Sequence, residues 1–391
     1  MGDSKFRPKF HFTPKSNWIN DPNGLVWAND RYHLFYQHNP FGTKWGHMSW
    51  GHASSLDLVN WVEHPIAIPE DALNSEAIFS GSAVIDKKGS VGNIGAMVAC
   101  YTACYSSPEG TRQVQKLAVS NDGGLTFEKL PEPIVDRNKA DFRDPKIFEF
   151  KDEWRMVVAH SKEHEIEILR SSDLLNWESL SYFGAKEEDP EIVWECPDLF
   201  PVELEGEEHW VLLVSVNPGG PLNGSGTKYF VGSFDGTRFS SESDPIWLDF
   251  GRDNYAGVTY NNEPNAERIL IAWMNSWGKT PHPELPWTGA MTIPRKLGLT
   301  RSFGEIRLTQ EPVTKPNLRI TLNEANAFEY QINSELTVRF DPETGIIAIN
   351  GYKAQSEVAR QLQLDLLVDN CSVEVFNLDR TISFSFLTFA D

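Results

Sequence analysis

The chain has 391 residues, 40% hydrophobic and 12% aromatic, with a formal net charge of −20. That acidity argues against nucleic acid and anionic membrane surfaces as partners and favours a neutral substrate over a phosphorylated one. No apolar run approaches the roughly 18 residues of a membrane-spanning helix. The 13 Trp, 24 Pro and 28 Gly suggest many short elements joined by tight turns.

The polar start, Met1 to Ser4, lacks the apolar stretch of a signal peptide, so a cytoplasmic protein or a secreted one whose signal has been removed is expected. "NWINDPNG" (Asn17 to Gly24) then joins a strand-like Trp18–Ile19 to a dense cluster of turn residues, with the carboxylate of Asp21 at the boundary. Taken alone, this is turn punctuation. Strand-like runs follow in order as "YHLFYQ", "AMVACYTACY", "WRMVVAH" and "HWVLLVSV", each alternating or buried in character. Each run is followed in turn by one turn phrase: "SSLDLVNW" ending at Trp61, "VSNDGGLTF" at Phe127, "RSSDLLNW" at Trp177 and "GSFDGTRF" at Phe239. Each phrase supplies an Asp or Gly turn and lands on an aromatic residue, so Trp61 and Trp177 are expected to be structural. "NYAGVTY" and "RILIAWMNSW" make a fifth unit. A period of roughly 50 to 65 residues built from short strands predicts radially arranged four-stranded blades. Helical periodicity is nearly absent, which disfavours a parallel α/β fold.

The expected fold is therefore all-β: a five-bladed β-propeller over residues 1–300, a linker over 301–315, and a shortened β-sandwich over 316–391. The sandwich rests on "LRITL", "ELTVRF", "GIIAING", "LQLDLLVD", "CSVEVFNL" and "TISFSFL". Cys100, Cys104, Cys196 and Cys371 are too few and too scattered for a disulfide framework or a zinc site.

Each blade begins with a compact polar and aromatic motif: "NDPNG", "EAIFSGS", "FRDPK", "WECPDLF" and "DNYAGVT". The innermost strand of a propeller blade lines the central channel, so these motifs are expected to converge at one mouth. Asp21 and Asp144 precede proline directly, and Glu195 precedes Cys196–Pro197. Proline biases the residue before it towards an extended conformation, which would aim the acid rigidly. Three carboxylates in equivalent places suit glycoside cleavage with retention, in which one attacks and another delivers a proton. Trp18, Trp45, Phe79, Trp194, Trp273, Trp277 and Trp287 would offer apolar platforms to a sugar, with about half of the tryptophans expected to be core only.

These motifs resemble the signatures of glycoside hydrolase family 32, the invertase, inulinase and levanase family, with "YQHNPFGTKWG", "MSWGHASS", "IAWMNSW" and "WTGAMTIPR" matching in order over about residues 10 to 300. The resemblance implies hydrolysis of β-fructofuranosides with retention, without metal or cofactor. By motif, Asp21 resembles the nucleophile, Glu195 the acid/base and Asp144 the transition-state stabiliser. Asn20, Gln37, Trp45, Phe79, Ser80 and Arg143 resemble the fructose contacts, and Asp253, Tyr255 and Trp287 are further candidates. A neutral fructose-containing oligo- or polysaccharide is the implied partner. A fructosyltransferase with the same acids and a sugar-binding propeller without turnover are the two alternatives.

Overall fold

The computed structural model describes residues 5–108, 110–184, 189–279, 282–325 and 327–389. Apart from a single 3-10 turn at Pro221–Asn223, every regular element in it is a strand. The strands form seven sheets of four or five strands each. Five of these follow one another along the chain, and each is an antiparallel meander in sequence order. Their leading strands are Asn17–Ala28, Glu76–Asp86, Phe142–Phe150, Val193–Leu204 and Tyr255–Thr259. These five inner strands touch in succession, and the fifth touches the first, so they make a closed ring. Two seams complete the ring. Trp287–Thr288 pairs in parallel with Asn17–Trp18, and Val26 bridges Asn261.

The repeated phrases are the turns on which the sheets are hung. Asp57 Oδ1 accepts the amides of Val59 and Asn60 at 3.0 and 2.8 Å, and Asp173 Oδ1 accepts those of Leu175 and Asn176 at 3.0 and 2.8 Å. In both turns the Asn side chain closes the loop by donating to the second oxygen of the same Asp, at 2.7 and 2.8 Å. These side chains replace backbone partners, which is why Asp and Asn must stand at fixed offsets. Trp61 and Trp177 pack against the hydrophobic cores beside these turns.

Residues 318–387 supply two further four-stranded sheets, whose buried faces form one hydrophobic core including Val338, Phe340, Ile347, Leu364, Val375 and Phe384. Five short strands precede Leu362–Asp369 there, and Glu329–Gln331 and Tyr352–Gln355 were not visible as strand patterns. One boundary needs correction. Glu305–Pro312, assigned from sequence to a linker, is a full strand of the fifth sheet, paired from Ser302↔Glu305 to Arg295↔Pro312. Its "EIRLTQEP" buries Leu308, Gln310 and Pro312 in alternation, a strand pattern on a half-buried edge.

The five ring sheets and the C-terminal sheets meet in a buried ionic hub. Arg295, fully buried, donates to Asp249 Oδ2 at 3.1 Å, to Glu374 Oε2 at 2.6 Å and to the hydroxyls of Ser383 and Ser385 at 3.0 and 2.7 Å. His11 bridges Asp369 and Glu374, each at 3.0 Å.

Candidate active site

All five inner strands slip register at the same level. The shifts fall between Ile19 and Pro22, Ile78 and Gly81, Arg143 and Lys146, Glu195 and Asp198, and Tyr255 and Val258. Each irregularity therefore brackets or adjoins a motif residue: Asn20–Asp21, Phe79–Ser80, Arg143–Asp144, Glu195–Cys196 and Tyr255–Ala256. A bulge at this point turns side chains out of the pleat and towards the ring axis. Proline does not act as the sequence reading supposed. Asp144 and Cys196, both directly before proline, have φ of 66° and 47°, in the left-handed region instead of the extended one. Ala256 occupies the same step of the fifth strand with φ of 55°. The bulge sets this conformation against proline's usual bias, and such strain concentrates at functional sites.

Three sheets thereby place their acids together. Asp21 is buried, and its Oδ2 accepts the Ser80 hydroxyl at 2.6 Å from the second sheet. Asp144 Oδ2 accepts the Cys196 amide at 3.0 Å from the fourth sheet. The Cys196 thiol lies between the two, 3.7 Å from Asp21 Oδ2 and 3.5 Å from Asp144 Oδ2. Glu195, one residue away, accepts Arg143 Nε at 2.9 Å on one oxygen and a short bond from the Tyr255 hydroxyl on the other. Arg143 is held in turn by Asp141 at 2.9 Å and Gln113 at 3.3 Å.

The electrostatics follow from this crowding. Burial pushes the Asp21 carboxyl up; the Ser80 hydroxyl and the Asn20 amide oppose the rise, and the Glu195 charge adds to it. Asp144 is raised to about 7 by burial and by the Glu195 charge, against the pull of Arg143. Two neighbouring carboxyls, Asp21 and Asp144, are thus both held above their ordinary range, and Asp144 keeps its proton towards neutral pH. Burial, reinforced by the charges of Asp144, Asp21 and Glu195, raises the Cys196 thiol well above its ordinary value, so it remains a neutral donor.

The remaining expected residues divide. Asn20 is buried and accepts Trp18 Nε1 at 2.7 Å. Gln37 is buried and donates to the Ile78 carbonyl at 3.0 Å, tying the first two sheets. Trp45, 50% exposed, stands edge-on to Phe79 at 5.9 Å. Tyr255 belongs to the pocket through Glu195. Asp253 and Trp287 do not. Both oxygens of Asp253 are taken by Arg252, Ser276, Lys279 and the Leu387 amide, so they face the seam with the C-terminal strands. Trp287 is buried in a core with Phe6, Leu285 and Leu387, and the Arg7 guanidinium lies 3.7 Å over its ring. Trp194 is likewise interior, with no exposed surface. Sequence reading missed Cys196, Gln113, Asp141 and Thr102, whose hydroxyl accepts the Asp144 amide at 2.9 Å. Gln113 and Thr102 sit inside ordinary strand patterns that carry no signal, whereas Cys196 lies within the quoted motif "WECPDLF".

As a class, this is an all-β protein built round a three-carboxyl centre, two of its acids buried and the third half-buried. The model of the glycosyl hydrolases family 32 N-terminal domain matches residues 11–312, and the chain belongs to that family. It is 42% identical over 322 residues to a levanase of Bacillus subtilis, covering 80% of this chain and 47% of the levanase. It is 38% identical over 350 residues to an extracellular exo-inulinase of Aspergillus niger, covering 79% of this chain and 65% of the relative. The chain thus spans about half the length of that levanase and under two thirds of that exo-inulinase. Among solved structures, exo-inulinase from Aspergillus awamori superposes with a TM-score of 0.89 at 30% identity, over 100% of this chain and 94% of the other. The β-fructofuranosidase from Schwanniomyces occidentalis complexed with fructosyl-erythritol gives 0.84 at 29% identity, over 98% and 91%.

Proposed function

We propose that this protein hydrolyses terminal β-D-fructofuranosides with retention of configuration, through a covalent fructosyl-enzyme. The observation that carries the reading is the grouping of the buried Asp21 and Asp144 with the half-buried Glu195 beside Cys196. The kinship with a levanase, exo-inulinases and an invertase supports the substrate class. The five ring sheets are read as the blades of a propeller and the two C-terminal sheets as the layers of a sandwich. Their ring of contacts and shared core, respectively, support this.

In the first half-reaction the Asp21 carboxylate attacks the anomeric carbon while Glu195 transfers a proton to the glycosidic oxygen. The carbon–oxygen bond breaks and the aglycone leaves as an alcohol. In the second, Glu195 takes a proton from water, and the hydroxide attacks the same carbon and releases Asp21. Asp144 and Arg143 hold ring hydroxyls, with Asn20, Gln37, Ser80, Trp45 and Phe79 completing the sugar contacts. Hydroxyls donated to Asp144 favour its carboxylate form. No step calls on a metal or cofactor. The hydrogen bond from the Tyr255 hydroxyl orients the Glu195 carboxyl group.

Incubation with sucrose, inulin and levan tests the reading by assay of free fructose. Fructose released from at least one of them is the expected result. Longer oligosaccharides with little free fructose would make it a transferase, and binding without turnover a sugar-binding propeller; both would overturn hydrolysis.

A further inference from the structure

Asp253 is fully buried and ionically engaged by Arg252 and Lys279, two residues before Tyr255. The chain leading to it is zipped along the last C-terminal strand, Ser383–Leu387. The Phe250 amide donates to the Ser383 carbonyl at 2.8 Å and the Asp253 amide to the Ser385 carbonyl at 3.0 Å. Between them Gly251 lies so close that a Cβ there would stand 2.3 Å from the Ser385 nitrogen and 2.4 Å from its oxygen. Only glycine allows this approach. Leu387 then closes the clamp. Its amide donates to Asp253 Oδ2 at 2.8 Å, and its carbonyl accepts Arg252 Nη2 at 2.8 Å and Lys279 Nζ at 2.9 Å.

Two paths lead from Asp253 to the acids. One runs along the backbone to Tyr255, whose hydroxyl bonds Glu195. The other crosses to the loop at 276–279, where the Ser276 hydroxyl donates to Asp253 Oδ1 at 3.3 Å and Lys279 pairs with it at 3.3 Å. That loop carries Trp277, which stacks on Trp18 at 6.2 Å and packs on Trp273 at 5.2 Å. Trp18 Nε1 in turn holds the side chain of Asn20, the neighbour of Asp21. Both the residue bonding the proton donor and the aromatic wall beside the attacking acid are thus fastened to one carboxylate, which is fastened to the C-terminal strand.

We propose that strand Ser383–Leu387 is a working part of the catalytic pocket, with Asp253 as the positioning residue that transmits its register to Tyr255 and Trp277. The inference rests on the hydrolytic reading above and extends it, since the C-terminal sheets then contribute to turnover as well as to stability. Asp253→Asn keeps the volume but removes the charge that holds Lys279 and Arg252. In the full chain acting on sucrose or a fructan, it lowers kcat about tenfold, a size typical of residues that act through others, with KM changed less than about twofold. The fall is larger on sucrose than on an aryl β-fructofuranoside with a good leaving group, as in Tyr255→Phe, because what is lost is the positioning of Glu195 by the Tyr255 hydroxyl. A residue that only stabilises the fold lowers Tm and the active fraction, and so lowers the rate equally on both substrates. Lys279→Met, which frees the loop from Leu387 while leaving Asp253 intact, shows a smaller fall in kcat and serves if Asp253→Asn does not fold. Wild-type protein that releases no fructose would overturn the functional reading. Active wild type with unmoved kcat, or an equal fall on both substrates, in the folded variants would overturn this inference alone.

Discussion

The Cys196 amide donates to Asp144 Oδ2 at 3.0 Å, and this bond and the Cys196 thiol are all that the Asp144 carboxylate accepts among the described residues. A buried carboxylate with one amide, one weak thiol donor and the Glu195 charge beside it is poorly solvated, and its carboxyl is raised to about 7. The native state therefore binds a proton that the unfolded chain releases above about pH 3.9. That contribution to stability is fully present below the unfolded value and lost as pH rises through about 7. Asp144→Asn, which cannot ionise, should be more stable than wild type at pH 8, by something on the order of 1 to 3 kcal/mol. Near pH 3.5 the two should agree. Thermal melts at both pH values check this, and an Asn variant less stable at pH 8 would contradict it.

A second pH effect comes from three histidines in the first sheet. His33 Nδ1 lies 3.0 Å from His52 Nε2, and the His52 and His64 rings pack at a tilt with centroids 4.5 Å apart. Burial holds His33 down to about 4 and His52 to about 2, and His64 is lowered too. Depressed histidines stabilise the fold while neutral, so stability should fall as pH drops from about 6.5 towards 4. His52→Phe keeps a ring packed against Phe35 and should flatten that fall. Equal acid sensitivity in urea titrations of the two proteins would exclude the cluster as its source.

The ionic hub predicts a large stability loss. Arg295→Met leaves Glu374 and Asp249 buried without their cation, and breaking such a pair typically costs about 3 to 5 kcal/mol. Denaturant unfolding should show a loss of that order. A loss under about 1 kcal/mol would mean that the serines and His11 satisfy both acids unaided.

Double displacement predicts that the fructose first released is the β anomer. NMR of the earliest product, read before mutarotation, distinguishes this from inversion, for which α-fructose would appear first.

Much of this was legible in the sequence, for identifiable reasons. The turn phrases could be read because Asp57 and Asp173 need their Asn partner at one offset only. The acids could be read because each sits in a motif dense in turn residues, where a strand slips register. Asp253 and Trp287 lie in buried seams, which call for the same residue types as a sugar pocket. Nothing local to Asp253 announces that its partner is Leu387, 134 residues on, just as nothing in Trp287 announces Arg7. Thr102 and Gln113 were hidden inside strands whose alternation looked ordinary. The conformation of Asp144 was misjudged because proline's local preference yielded to the bulge.

The central claim is the division of labour between Asp21 and Glu195, and it is tested most directly by kcat of Asp21→Asn and Glu195→Gln on sucrose and on an aryl β-fructofuranoside with a good leaving group. Asp21→Asn should lose the covalent route and hence activity on both substrates. Glu195→Gln should fall by about 10² to 10⁴ on sucrose, the usual worth of proton transfer, and be largely spared on the aryl substrate, whose leaving group needs no proton. Equal loss in Glu195→Gln on both substrates, with Asp21→Asn spared on either, would contradict the assignment of nucleophile and acid.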